Sequence, residues 1–213
     1  MPVRHIPQPV VGVLALQGDF EAHRHRLAAL GAVVRLVKMP DQFREIDGLV
    51  IPGGESTNFL RLLGGQGMAA LRACVRARPV FGTCAGAILL AAEVENPAQP
   101  ALGAIDIRIR RNAYGRQIDS FIGQGRIDDQ ACEMVFIRAP RIVRVGPRVE
   151  IVAALDAQPV AVRQGTAMAA TFHPELSDDP RLHEMFLGIV ARNFAAARDL
   201  SAIDRGAQHP RTA

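Results

Sequence analysis

The chain has no tryptophan, a single tyrosine and a single lysine, Lys38. It has three cysteines, Cys74, Cys84 and Cys132, and no Cys-x-x-Cys. An odd, unpatterned set of this kind excludes a disulfide framework, fits a reducing compartment and leaves room for one functional thiol. No apolar run approaches the roughly 20 residues that cross a bilayer. The first residues, "MPVRHIPQPVVGVLAL", have only a short apolar run, followed by "QGDFEAH" instead of a small-residue cleavage site. No signal peptide and no membrane partner are expected, and the expected location is cytoplasmic. Metal-site spacing is also lacking. His23 and His25 are two apart on a helix and face different ways, His5 and His209 are terminal, and His183 is expected on the exposed side of the last helix. Arginines crowd between Arg108 and Arg148, but Asp119, Asp128, Asp129 and Glu133 interrupt them, Asp106 precedes them and stacking aromatics are few. Nucleic acid is therefore not an expected partner.

The chain is 49% hydrophobic over 213 residues, enough for one sizeable core. "VVGVLAL" (10–16) is a continuous apolar run of the sort buried on both faces of a parallel sheet. The segment "GDFEAHRHRLAALGA" reads as a helix that Asp19 can cap and Gly31 can stop. Strands at 33–39, 47–54 and 79–83 follow, with a helix broken by glycines at 64–67 ending near Arg78, and "AGAILLAAEV" reads as the helix after Cys84. Alternating strands and helices imply an α/β fold, a doubly wound, mostly parallel sheet flanked by helices. Short strands are expected in the second half near 105–109, 133–139, 149–155, 159–164 and 167–172. A closing helix is expected over about 180–197, with Leu182, Phe186, Ile189 and Phe194 inward. One domain is expected over 1–198, with a flexible tail over 199–213.

"FGTCAG" (81–86) sets Cys84 where a strand meets a helix, at the strand end where open α/β sheets bind ligands. Gly82-Thr83-Cys84-Ala85-Gly86 has the spacing of the Gly-x-Ser-x-Gly nucleophile elbow, with sulfur in place of oxygen. The helix N-terminus behind it favours a thiolate. A buried cysteine in a tight crossing fits the same five residues. In "TFHPEL" (171–176), Pro174 pushes His173 towards extended backbone, and residues two apart then face one side. Glu175 can accept from one imidazole nitrogen while the other faces a thiol; a strand-ending turn with a solvated Glu175 is the alternative. "PGGEST" (52–57) offers Gly53 and Gly54, whose peptide can turn an N–H towards an oxyanion, with the N–H of Ala85 as second donor. Alone, Pro-Gly-Gly is only a turn. Cys74 and Cys132 read as packing cysteines.

"LALQG", "PGGEST", "FGTCAG", "RNAYGRQIDSF" (111–121), "FIRAPRI" (136–142) and "FHPE" together resemble the glutaminase subunits of pyridoxal 5′-phosphate synthases. These belong to the class I (triad) glutamine amidotransferases, and the resemblance runs over nearly the whole chain. It implies a flavodoxin-like three-layer fold, with Cys84 as nucleophile, His173 as general base and acid, and Glu175 as the orienting carboxylate. Gly54, Glu55, Ser56, Arg111, Ile137 and Arg138 would bind L-glutamine, and Gly54 and Ala85 would form the oxyanion site. No metal and no cofactor are implied. The ammonia would pass to a (β/α)₈-barrel synthase subunit as partner. A glutaminase of another pathway or a γ-glutamyl hydrolase shares the triad without "RNAYGRQIDSF". A non-catalytic interaction module has no use for an intact Cys84, His173 and Glu175.

Overall fold

In the computed structural model, which describes residues 8–113 and 120–207, the first apolar runs form strands β1 (Val10–Leu14), β2 (Val33–Val37), β3 (Gly48–Ile51) and β4 (Val80–Thr83). Helices α1 (Phe20–Ala29) and α2 (Ser56–Ala77) connect them, and α3 (Ala85–Leu90) follows. Then come β5 (Ala91–Glu95), β6 (Ile105–Arg110), β7 (Ser120–Ile127), β8 (Gln130–Ile137), β9 (Arg141–Val145), β10 (Glu150–Leu155), β11 (Gln158–Gln164), β12 (Ala167–Ala170) and the closing helix α4 (Arg181–Ala207). A nine-stranded sheet runs β2-β1-β3-β4-β12-β11-β10-β7-β8, and β5-β6-β9 form a smaller one. The five strands from β2 to β12 are mutually parallel. The remaining four extend the sheet antiparallel.

Every residue of β3 and β4 is buried, as a strand covered on both faces requires. The pleat sends alternate residues to opposite cores. Leu49, Ile51 and Val80 join Phe59 and Leu71 of α2, whereas Val50 and Phe81 join Leu27 of α1 and Phe186 of α4. Helices therefore lie on both faces of a mixed, mostly parallel sheet. The adjacent strands β3, β4 and β12 end on the same edge. Their C-terminal continuations are the Pro52–Ser56, Cys84–Gly86 and Phe172–Glu175 segments, now side by side. No described helix is long and apolar enough to cross a membrane.

Several elements differ from the sequence reading. The expected helix "AGAILLAAEV" is helical only to Leu90 and then becomes β5. Pairing with β6 overrides the Ala-rich helical preference. On the exposed side of that pair, Glu93 accepts from Arg108 at 2.6 Å and Glu95 from Arg110 at 2.7 Å. Strands β7 and β9 had no counterpart in the reading. Residues Asp128 and Asp129 between β7 and β8 have φ of 45° and 60°, the two-residue hairpin geometry usually written Asn-Gly. The glycine break in α2 is a single non-helical residue, Gly64. Asp19 makes no capping bond to α1. Helix α4 continues to Ala207, into the stretch 199–213 expected as a tail, because residues 189–205 contain no proline or glycine to stop it; residues 208–213 lie outside the described residues.

Candidate active site

Cys84 sits at the β4–α3 junction with φ 47° and ψ −100°, in the left-handed half of backbone space that a non-glycine residue adopts only when held there. Its N–H donates to the carbonyl of Ala170 on β12 at 2.8 Å. The two flanking glycines explain the tight frame. A Cβ on Gly82 would lie 2.5 Å from the Gly86 carbonyl carbon, and one on Gly86 would lie 2.1 Å from the Ile51 carbonyl oxygen. The elbow is therefore pressed directly on its own first helical turn and on the end of β3.

His173 follows β12 and is buried with its ring against Gly53, where a Cβ would meet its Cε1 at 2.4 Å. Its Nδ1 lies 2.7 Å from Glu175 Oε1, with Asp19 Oδ2 at 3.8 Å. Burial opposes charging His173, but the hydrogen bonds and charges of Cys84 and Glu175 outweigh it and raise the pKa to about 10. The Cys84 thiol itself points at the Ile137 carbonyl, 3.9 Å away. The hydrogen-bonded cluster is thus built around His173 and Glu175, with Cys84 close enough to His173 to act on its charge, both facing the same cavity. Asp19, His173 and Glu175 bring one metal-ligating atom each within 4.8 Å of one another. The His173 nitrogen in that set is already engaged by Glu175, so the cluster fits an ion-paired imidazole better than a cation site.

A cavity of about 200 Å³ opens in front of these groups, lined among others by Gly54, Glu55, Ser56, Cys84, Arg111, Ile137, Arg138 and His173. Glu175 lies behind His173, away from the lining, and Ala85 lies beneath Cys84 as the first residue of α3. Gly54 has φ 129°, a conformation closed to most side chains. Arg111 is buried, and its Nη1 has no hydrogen-bond partner among the described residues. The lining also holds Asp19, Ile88, Asn112 and Pro140, which the sequence reading did not select. Asn112, with φ 49°, was within reach as part of "RNAYGRQIDSF"; residues 114–119 of that motif lie outside the described residues.

Behind Glu175 is a group the sequence reading missed. His23 on α1 and His183 on α4 are both fully buried, which corrects the exposed position expected for His183: it occupies the inward face together with Leu182 and Phe186. His23 Nδ1 lies 3.0 Å from His183 Nε2, and His23 Nε2 lies 3.0 Å from Thr83 Oγ1 and 3.3 Å from Glu175 Oε2. Burial, followed by the neighbouring His23, pushes the pKa of His183 down to about 3. Its ordinary value is 6.5, so below that pH the unfolded chain takes up a proton that the fold refuses. The associated stability is complete above pH 6.5 and is lost as pH falls towards 3, at about 1.4 kcal/mol per pH unit. Urea unfolding between pH 6 and 4 is expected to show a steeper loss in the wild type than in His183→Gln, by about one proton; equal slopes would contradict it.

Residues 13–192 match the SNO glutamine amidotransferase family. The pyridoxal 5′-phosphate synthase subunit PdxT of Koribacter versatilis (strain Ellin345) is 61% identical over 182 residues, covering 84% of this chain and 95% of that one. The PdxT of Thermosipho africanus (strain TCF52B) is 46% identical over 189 residues, covering 85% and 99%. A crystal structure described as a glutamine amidotransferase superposes with a TM-score of 0.79 at 43% identity, covering 84% of this chain and 98% of that one. With a family match over most of its length and relatives this similar, the chain belongs to the SNO glutamine amidotransferase family.

Proposed function

We infer that the cavity at Cys84 hydrolyses the side-chain amide of L-glutamine and that the ammonia is delivered to a pyridoxal 5′-phosphate synthase subunit. As a member of this family, the chain is a glutamine-hydrolysing enzyme. The observation that carries the finer reading is the convergence of Cys84, His173 and a cavity lined by both signs of charge at the carboxyl ends of β3, β4 and β12. Free glutamine is a zwitterion. Arg111 and Arg138 suit its carboxylate, and Glu55 and Asp19 suit its ammonium. The unpartnered Nη1 of buried Arg111 favours a carboxylate there, since an unpaired buried charge is costly.

In this reading the Cys84 thiolate attacks the amide carbon. The oxyanion is received by the N–H groups of Gly54 and Ala85, the latter left free by helix geometry at the start of α3. His173, held charged by Glu175, protonates the leaving ammonia. It then takes a proton from the water that cleaves the γ-glutamyl thioester to glutamate. Ile137 and Ser56 complete the binding surface. The partner is proposed as a (β/α)₈-barrel synthase subunit, as the family resemblance implies; the names of the PdxT relatives describe them as subunits of a pyridoxal 5′-phosphate synthase.

Arg111→Ala is expected to raise KM for glutamine by about 10²-fold with a smaller effect on kcat, because a buried charge-assisted pair is worth roughly 2–3 kcal/mol. The reading as a whole is tested by following glutamate release with and without a barrel synthase. Release that is stimulated by the synthase is expected, and no release in either case would overturn it.

A further inference from the structure

Resting on the reading of Cys84, His173 and Glu175 as the working groups, we propose that His23 is a positioning residue. Its Nε2–H holds the inner oxygen of Glu175 and the hydroxyl of Thr83, and His183 fixes the tautomer that makes this possible. His23 does not line the cavity, but it touches both halves of the site. Glu175 offers Oε1 to His173 at 2.7 Å, and its Oε2 lies 3.3 Å from His23 Nε2, a charge contact at an oxygen that has no other partner and no aligned hydrogen bond among the described residues. Thr83, the residue before Cys84, has its Oγ1 3.0 Å from the same His23 nitrogen. One imidazole nitrogen therefore stands between the carboxylate that orients the base, in charge contact with it, and the hydroxyl of the residue that precedes the nucleophile, in hydrogen-bond contact with it.

The tautomer follows from what each alternative would leave unpaired. His23 Nδ1 and His183 Nε2 are 3.0 Å apart, so one donates to the other. His183 Nδ1 is buried with no partner among the described residues. If His23 donated from Nδ1, His183 would carry its proton on that orphaned Nδ1, a buried N–H with no acceptor. The bare His23 Nε2 would then face a carboxylate. With the proton of His183 on Nε2, its Nδ1 is left as an unpaired acceptor instead of an unpaired N–H, the lesser cost in an apolar site; His183 Nε2–H then donates to His23 Nδ1, and His23 Nε2–H turns to Thr83 and Glu175. The second imidazole thus acts on the first as an outer-shell carboxylate or carbonyl acts on a metal-bound histidine. Burial favours the neutral form of both rings, against the attraction of Glu175. The charged groups acting on the two rings are Glu175, His173, Asp19 and Arg26. Arg26, on α1, also donates to the Ser177 carbonyl just after the His-Pro-Glu segment.

The test uses the full chain with its synthase partner and the wild type as reference. Glutamine places its side-chain N–H₂ near the position of the imidazole Nε2, whereas asparagine reaches only the Nδ1 position. His23→Asn is expected to lower kcat by about tenfold, the scale of an outer-shell hydrogen bond, to leave KM unchanged, and to move the acid limb of the kcat–pH profile. His23→Gln should recover most of the rate. Equal losses in both variants, or a loss carried by KM, would overturn the proposal. If His23→Asn does not fold, imidazole NMR of labelled wild-type protein decides: His23 protonated on Nε2 and bare on Nδ1 supports it, and the opposite tautomer overturns it. A wild type that releases no glutamate with its partner would instead refute the underlying glutaminase reading, which the NMR measurement does not depend on.

Discussion

Replacing Cys84 with alanine is expected to lower glutamate release by about 10⁴-fold or more, the scale at which loss of a nucleophile is felt, with the fold retained. The side chain removed is small, and alanine tolerates φ 47° no worse than cysteine does. The other thiols make the contrast informative. Burial pushes Cys74 up to about 11 and Cys132 up to about 12, the latter helped by Asp179. Both stay protonated at neutral pH, and neither lines the cavity. Cys74→Ala and Cys132→Ala should each lose about 1–2 kcal/mol of packing at most and keep their turnover. Steady-state release together with circular dichroism checks this. A comparable loss of activity in all three variants would mean that thiol removal damages the fold generally.

The second large effect is on stability. Gly86→Ala would place a methyl 2.1 Å from the Ile51 carbonyl oxygen. That neighbour is strand backbone with no rotamer to change, so β3 or α3 must move, at a cost at or above the upper end of the roughly 1–3 kcal/mol typical of overpacking. The displaced end of β3 leads into Pro52–Ser56, so the cavity wall would move with it. Gly65→Ala is the control. Apart from its own helix backbone and chain neighbours, no described residue lies within 4 Å of its Cβ position, and its place in α2 should gain about 0.5–1 kcal/mol. Urea midpoints should separate the two variants widely and in opposite directions; matching midpoints would contradict the packing described for the elbow.

The place of the candidate site was legible because the residues proposed for it lie in short contiguous stretches. Gly82–Gly86, Pro52–Ser56 and His173–Glu175 each follow an apolar run, and parallel pairing brings strand ends together, so three local patterns converge. What escaped the sequence reading depends on long-range contact. The small sheet depends on β5 and β9 pairing with β6 and on burial of Ile105, Ile107, Ile109 and Ile142, long-range contacts that no local window reveals. The β7–β8 hairpin turns on Asp128 and Asp129 instead of glycine, so its signal was weak. His23 and His183 are 160 positions apart on polar-looking helices. Their burial follows from α1 and α4 packing on the same face of the sheet, where each shields the other's polar nitrogen.

The most direct measurement is the site of covalent capture by a γ-glutamyl-directed electrophile, a glutamine analogue with a reactive group in place of the amide. The full chain, alone or with its synthase, is treated, digested and mapped by mass spectrometry, with and without excess glutamine. A single label on the peptide carrying Cys84, suppressed by glutamine and absent from Cys74 and Cys132, is expected, because only Cys84 combines a cavity, a charged His173 and a substrate-sized approach. A label on another residue, or glutamine hydrolysis that continues at full rate in protein fully labelled elsewhere, would contradict the assignment of Cys84 as the nucleophile.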